Sequence, residues 1–279
     1  MSFLGIRLGN EAQLSAADIE SLGVLAEEHG YRELWMTEGS GRDSLTQLTA
    51  IAIATTRICL GTGILPMFSR SPLVTAMSSA GLASVSNGRF ILGLGVGYRP
   101  AVEDGHGLRF EKPMEHLRDL TRIVRGLLQG EKISYQGKAI AVSDVSLGDS
   151  APKNRLPIYI AALGPRMLEM AGEVADGVLL SWTAAHYLKE AIKIVQGGAV
   201  KVGRDPSEVA ISGYLRVAVT DDIAAGRASL QRQIARYASS THLSLIHISE
   251  PTRPERIAGA GVGVKKKRGG GGGGGGGGG

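Results

Sequence analysis

The 279-residue sequence contains a single cysteine, Cys59, and this scarcity excludes the disulfide-stapled and zinc-stapled classes of small protein. One thiol cannot form a disulfide framework within the chain, and a four-ligand zinc site needs cysteines or histidines at close spacing. Cys59 stands between Ile58 and Leu60 in an apolar run, where a thiol behaves as a small hydrophobic side chain. We therefore predict no metal site and no catalytic thiol.

Long apolar runs are missing as well. No segment approaches the length that spans a membrane, and residues 1–7 lack the basic and apolar regions of a signal peptide. These features predict a cytoplasmic location and no membrane partner.

The formal net charge of +5 comes mostly from the last residues of the chain. From Leu243 onward there are six Lys or Arg residues and two acids, and removing them from the totals of 31 and 26 leaves 25 and 24. A net charge of +1 for residues 1–242 gives no electrostatic footprint for nucleic acid, so we expect no nucleic-acid partner.

The sequence of segment 243–279 indicates a DNA-sequencing artefact rather than a natural part of the protein. Leu243–Arg253 resembles the translation of a transposase-based sequencing adapter, and Lys265–Arg268 followed by Gly269–Gly279 reads as two homopolymer runs. A flexible glycine linker or a basic tail would explain the glycines or the lysines, but not the preceding peptide. We therefore expect a disordered, artefactual tail in which His247 has no function.

Short apolar segments alternate with amphipathic helical segments along residues 1–242, which is typical of a parallel sheet covered by helices. We count seven strand–helix units and predict one α/β domain, a (β/α)8 TIM barrel truncated to about seven units, with a small hairpin within Lys132–Ile140 before the fifth strand. An open Rossmann sheet is disfavoured because no GxGxxG motif follows the first strand. The predicted strands are Phe3–Leu8, Glu33–Thr37, Ile58–Leu65, Arg89–Val96, Leu156–Ala161, Gly177–Ser181 and Val209–Val219. The predicted helices are Ala16–His29, Ser44–Thr55, Leu73–Ser86, Met114–Leu128, Pro165–Ala175, Ala185–Gln196 and Ile223–Ala238.

Two polar residues follow strands, where a parallel barrel places its active site. Glu38 comes after the second strand and could bond a ligand or transfer a proton; a charge at a helix N-terminus is the alternative. His106 lies between glycines in the loop after the fourth strand, as an active-site donor or as an ordinary loop residue.

Glycines mark three further strand ends. Thr62, Gly63 and Ile64 end the third strand, and Gly95 belongs to a strand whose alternating glycines make room for a bulky group. After the fifth strand, a Gly-Pro turn opens a helix and aims its positive end at an anion such as phosphate, although many such turns bind nothing. This turn consists of Ala162, Leu163, Gly164, Pro165 and Arg166.

Taken together, these motifs resemble the luciferase-like monooxygenase superfamily, and more closely its coenzyme F420-dependent branch, which includes the methylenetetrahydromethanopterin reductases. The segments that carry the resemblance are Trp35–Glu38, Gly61–Ile64, Gly81–Leu94, Phe110–Pro113 and Gly164–Gly177. The resemblance spans residues 1–240. Glu38-Gly39 stands where the deazaflavin dehydrogenases have an Asp-His pair, which favours the reductases and the uncharacterised relatives.

The resemblance implies coenzyme F420 or FMN at the mouth of the barrel. A non-proline cis peptide at Gly63-Ile64 would bulge against the ring, the turn 162–166 would hold the cofactor phosphate, Glu38 would face the ring edge and His106 the substrate. It also implies hydride transfer or oxygenation of a small-molecule substrate, and a homodimer when the chain is full length. The alternatives are a non-redox barrel enzyme for a phosphorylated metabolite and a flavin-binding protein without activity.

Overall fold

The computed structural model describes residues 4–9, 14–39 and 41–238, so the segment 243–279 lies outside the described residues. The chain divides into two compact units, residues 1–215 and residues 216–279. Because the second unit is described only to residue 238, its described part consists mainly of one helix.

The first unit alternates strands and helices in the predicted order. Its strands are β1 (Gly5–Leu8), β2 (Glu33–Met36), β3 (Cys59–Thr62), β4 (Leu65–Pro66), β5 (Phe90–Gly95), β6 (Ile133–Gln136), β7 (Ala141–Val145), β8 (Ile158–Ala161), β9 (Gly177–Ser181) and β10 (Ala210–Tyr214). Its helices are α1 (Ala16–Glu28), α2 (Ser44–Ala54), α3 (Pro72–Val85), α4 (Pro113–Leu128), α5 (Pro165–Val174) and α6 (Ala185–Lys201).

Seven parallel strands form one sheet in the order β1-β2-β3-β5-β8-β9-β10, and β4 pairs with the end of β5. Each strand pairs with its predecessor in that order, for example Gly5 with Glu33 and Leu92 with Ile158. A right-handed crossover through a helix is the usual way to join parallel neighbours. The sheet is a nearly closed barrel, which confirms the predicted fold class.

The strands bury both faces. Residues on the outer face, such as Leu34, Leu60 and Leu92, belong to the large core beneath the helices. Residues on the inner face form a separate cluster around Trp35, Ile91 and Leu179. Burial of both faces of the sheet therefore explains why alternate residues along a strand are apolar on either face.

Helix starts follow the predicted signals. Ser15 caps α1 by accepting a hydrogen bond from the Asp18 N–H, and the Asp18 carboxylate accepts in return from the Ser15 N–H at 2.7 Å. This reciprocal capping box satisfies two donors that the first helical turn cannot pair. Pro165 occupies the first turn of α5, where its missing N–H costs nothing.

Four predicted boundaries differ from the structure by three residues or more. The third strand is interrupted after Thr62, the last strand ends at Tyr214 instead of Val219, and the hairpin extends to Val145. Helix α6 runs on to Lys201, through Gly197 and Gly198. A Cβ at Gly198 would lie 2.1 Å from the Glu169 carbonyl oxygen of α5, so this glycine permits close helix packing rather than ending the helix.

One buried carboxylate fastens the hairpin to α4. Asp119, 3% exposed, accepts hydrogen bonds from the Tyr135 hydroxyl at 2.8 Å and from the N–H groups of Ala139 and Ile140. Burial acts to raise the pKa of Asp119, but these donors outweigh it, so the pKa lies below its usual value. The hairpin is thus tied to the barrel by a charged side chain.

The second unit contributes helix α7 (Ile223–Ala238). The Asp222 carboxylate accepts from the Ala225 N–H at 2.9 Å at the start of this helix. None of the described helices is long and apolar enough to cross a membrane, and the described residues hold no cluster of three or more potential metal ligands.

Candidate functional site

Four strand ends that were predicted to carry chemistry lie side by side. They follow β2, β3, β5 and β8, which are consecutive neighbours in the sheet. Because all these strands are parallel, their carboxyl ends share one edge of the barrel. The structure therefore brings the segments around Glu38, Thr62–Ile64, Gly95 and Ala162–Arg166 to the same edge.

The segment Thr62–Ile64 leaves the strand ladder. The Thr62 hydroxyl donates to the Gly93 carbonyl and accepts from the Gly93 N–H, both at 2.8 Å, and so bridges to β5 where the strand pairing is interrupted. The Gly63-Ile64 peptide is cis, as predicted. The Thr62 side chain is fully buried and fully occupied by this bridge, so the part of this residue that can face a ligand is its backbone.

The glycines of β5 leave space on the inner face of the barrel, but other residues of this chain fill that space. A Cβ at Gly93 would lie 1.9 Å from the Thr62 carbonyl oxygen, and one at Gly95 would lie 2.8 Å from Ile64 Cγ1. Ile64 belongs to the inner cluster of the barrel. Gly95 thus supports Ile64, whose side chain sits over the inner face at the carboxyl edge.

Aromatic rings fill the barrel below this segment. The Trp35 ring lies 5.7 Å from that of Tyr159 and 6.5 Å from that of Tyr214, and its Nε1 donates to Glu33 Oε2 at 2.8 Å. A Cβ at Gly61 would lie 2.4 Å from Trp35 Cε3. The glycine in the third strand is therefore required by the indole rather than by a ligand.

Burial shifts the titration of the inner groups. Burial and the nearby Glu33 carboxylate raise the pKa of Tyr159 to about 12. The same two causes raise the pKa of the Cys59 thiol, and burial raises the pKa of Glu33. The Cys59 thiol thus remains protonated near neutral pH.

Glu38 has structural partners on both carboxylate oxygens. Oε1 accepts from Arg70 Nη1 at 2.7 Å, and Oε2 accepts from the N–H and the hydroxyl of Ser44, the first residue of α2. The side chain is 10% exposed, and Arg70 also pairs with Asp43. These contacts match the alternative role at a helix N-terminus, while a catalytic role of Glu38 stays a prediction.

The turn Ala162–Arg166 has the geometry of an anion-binding helix start. Gly164 is the N-cap of α5, no side chain of the described residues caps this helix, and a Cβ at Gly164 would meet nothing within 4 Å. Arg166 is exposed in the first turn. An uncapped helix N-terminus beside open space and a guanidinium can hold an anionic group.

The structure ties His106 less closely to the other predicted site residues. It is exposed at the end of a short π-helical turn, Ala101–Gly105, in the loop after β5. That loop leaves the same edge of the sheet as the other predicted residues. Its role as an acid or donor stays a prediction.

Sequence reasoning missed two residues at this edge. Trp182 follows β9 directly and adopts a left-handed backbone with φ of 59°, which is uncommon for a bulky side chain. Tyr214 stands at the end of β10, and its hydroxyl oxygen would lie only 2.0 Å from a Cβ placed on Gly63. For Trp182 the available signal was its place directly after a predicted strand, whereas Tyr214 lay inside the predicted strand Val209–Val219 and gave no such signal.

These features define a parallel (β/α) barrel protein with a candidate ligand site at the carboxyl edge of its strands. The chain belongs to the luciferase-like monooxygenase family, whose model matches residues 1–268.

Relatives in sequence come from the F420-dependent branch. A 5,10-methylenetetrahydromethanopterin reductase of Methanolobus tindarius is 37% identical over 212 residues, covering 76% of this chain and 64% of the relative. An F420-dependent glucose-6-phosphate dehydrogenase of Mycolicibacterium gilvum is 30% identical, covering 73% of this chain and 66% of the relative. The chain thus spans less than two thirds of the length of these curated relatives.

Solved structures share the fold. The coenzyme F420-dependent tetrahydromethanopterin reductase of Methanopyrus kandleri superposes with a TM-score of 0.78 at 27% identity, covering 87% of this chain and 74% of the other. The FMN complex of a type II Baeyer–Villiger monooxygenase of Pseudomonas putida superposes with a TM-score of 0.68 at 18% identity, covering 87% and 75%. The second likeness, at this identity, concerns the fold alone.

Proposed function

We propose that the chain is an oxidoreductase that uses coenzyme F420 or FMN at the carboxyl edge of its barrel. The observation that carries this proposal is the displaced segment Thr62–Ile64, which places Ile64 over an apolar cluster at the same edge of the sheet as the open helix start at Gly164. An apolar platform next to an anion-binding turn fits a planar ring attached to a phosphate. Family membership supports the same proposal.

Residues of this chain divide the work of binding. Ile64 and the rings beneath it offer a dry, apolar face, while Gly164 and Arg166 supply donors and positive charge for the phosphate. Glu38 and Arg70 hold the loop after β2 against the start of α2. A bound flavin or deazaflavin supplies the hydride chemistry, and the protein supplies orientation and exclusion of water.

The names of the sequence relatives favour the reductase over the oxygenase. We therefore propose F420 as the preferred cofactor, with 5,10-methylenetetrahydromethanopterin as the first substrate to test. Anaerobic reoxidation of reduced F420 that depends on this pterin supports the reductase. Reoxidation of reduced FMN that depends on oxygen and an organic substrate supports the oxygenase instead. Failure of both cofactors to bind contradicts the redox proposal.

The open helix start also supports a second candidate, a non-redox barrel enzyme for a phosphorylated metabolite. Such an enzyme would use Gly164 and Arg166 without a ring on the Ile64 platform. Binding of glucose 6-phosphate, the substrate in the name of one relative, in the absence of either cofactor supports this candidate. Competition between that sugar phosphate and FMN would place both anions at one turn.

We propose further that the chain forms a homodimer through α2 and α3. Neither helix contains a Lys, Arg, Asp or Glu residue, and Ile53, Met77 and Val74 are 75%, 55% and 45% exposed. An uncharged apolar face can meet a second copy of itself without charge repulsion. Sedimentation should give a dimer that Met77→Lys dissociates, whereas Val200→Lys, on an exposed position of α6, should not. A monomeric wild type contradicts the proposal.

A further inference from the structure

A cavity lies outside the candidate cofactor site. Its volume is about 360 Å³, and it opens between the loop after β5, the first turn of α4 and the tip of the β6–β7 hairpin. Three cationic side chains line it: Arg109, Lys112 and Lys138. One acidic side chain, Glu111, also lines it and lies 3.7 Å from Arg109. The lining therefore carries a net positive charge from three separate positions of the chain.

Phe68 and His116, two of the residues that line the cavity, belong to a row of side chains in mutual contact. The Arg99 guanidinium lies 4.6 Å from the centre of the Phe110 ring, which lies 5.1 Å from the Phe68 ring. Phe68 in turn lies 4.5 Å from the half-buried His116 ring. Phe68 and Leu108 add apolar surface to the lining. A flat apolar group can therefore rest against these side chains.

The start of α4 borders the cavity through Lys112 and His116. Lys112 precedes this 16-residue helix with a left-handed backbone, φ 45°, and no side chain among the described residues caps the helix start. The Lys112 ammonium donates to the Lys138 carbonyl at 3.3 Å and so links the helix start to the hairpin. The Lys112 and Lys138 ammonium groups thus border one opening beside the start of α4, whose first turn also carries the acidic Glu115.

We propose that this cavity binds a small organic anion that carries carboxylate or phosphate groups on a flat apolar body. None of its lining residues belongs to the predicted cofactor site, so anion binding itself stands apart from the proposed redox function, and only the assignment of the anion to substrate or cofactor rests on that function. The loop after β5 leaves the carboxyl edge of the sheet, so this anion site lies on the side where substrate and cofactor are expected. The anion can belong to either molecule.

Calorimetric titration with phthalate, a flat dicarboxylate, tests the site without any cofactor. We expect saturable binding at one site that added salt weakens, weaker binding of inorganic phosphate, and no binding of neutral phthalamide. The double variant Arg109→Gln/Lys138→Gln should weaken phthalate binding by about fivefold or more, because two charge contacts are lost. The matched control is Arg122→Gln/Lys153→Gln, which removes the same charge from exposed positions outside the lining.

The control variant should bind phthalate within about twofold of the wild type. Equal weakening in both double variants, or no saturable binding to the wild type, would overturn the proposal. Competition of phthalate with F420 or FMN assigns the anion to the cofactor, and simultaneous binding shows that the anion site is separate from the cofactor. Because phthalate is titrated alone, failure of cofactor binding leaves this result interpretable.

Discussion

Glu38 shows how a residue at the right strand end can serve the fold. Its carboxylate joins the loop after β2 to the start of α2 and to Arg70, with both oxygens hydrogen-bonded and little exposure. Removing one partner of a mostly buried ion pair is destabilising, although here Arg70 would keep its second partner, Asp43. The sequence identified the position, but its ion-pair partner is 32 residues away, and no local pattern specifies such a pair.

We expect Glu38→Gln to lower the free energy of unfolding by about 1–3 kcal/mol, since the mostly buried Arg70 loses one of its two carboxylate partners and keeps Asp43. Urea denaturation measures this change. The matched control is Asp144→Asn, which breaks the exposed pair with Lys132 and should cost about 0.5 kcal/mol or less. Equal losses in the two variants would contradict the role given to Glu38.

Asp119 makes a prediction about acid stability. Its folded pKa lies below the unfolded value, so the unfolded chain binds more protons as the pH falls. The stability that it contributes is complete above the unfolded pKa, near 3.8, and is lost as the pH falls through the lower folded pKa. Asp119→Asn should therefore destabilise the protein at neutral pH and flatten its acid unfolding curve. Unfolding measured from pH 2 to 7 checks this, and an unchanged curve would refute it.

Elements were predicted more reliably than their ends. All seven strand–helix units and the hairpin lie where the alternation of apolar segments placed them. The break after Thr62 was missed because Ile58–Leu65 reads as one apolar strand, and the interruption depends on the Thr62 hydroxyl and on the glycines of the neighbouring strand. Such a break is a property of two strands together, and one strand's pattern cannot reveal it.

The close packing of α5 on α6 was also hidden from the sequence. Gly197 and Gly198 read as a helix end, yet Gly198 packs against the backbone of α5 while Gly197 faces open space. Two adjacent glycines therefore have different structural roles. Only the neighbouring helix decides which glycine is required.

This pair gives a matched test at the scale of the element. Gly198→Ala should destabilise the protein by about 1–3 kcal/mol, because its Cβ would lie 2.1 Å from the Glu169 carbonyl oxygen and the helices must separate. Gly197→Ala should instead stabilise α6 by up to about 1 kcal/mol, since alanine is the better helix former. Thermal unfolding of the two variants compares them. A loss of the same size in both would exclude tight helix contact as the cause.

At the scale of the molecule, the sheet explains why distant motifs meet. The segments at Glu38, Thr62–Ile64, Gly95 and Ala162–Arg166 are far apart in sequence, but they follow neighbouring parallel strands and so share one edge. The position of the candidate site was therefore predictable from the fold class alone. The cluster of Trp35, Tyr159 and Tyr214 was not predictable, because the contacts of Trp35 with the two tyrosines depend on the closure of the barrel.

The central claim is that this edge binds a deazaflavin or flavin through the Ile64 platform and the turn at Gly164. Fluorescence titration of the wild type with F420 and with FMN, repeated on Arg166→Gln and on the control Arg122→Gln, tests it most directly. We expect saturable binding of at least one cofactor, weakened about fivefold by Arg166→Gln and unchanged by the control. Absence of binding of both cofactors, or equal weakening by the two substitutions, would contradict the account.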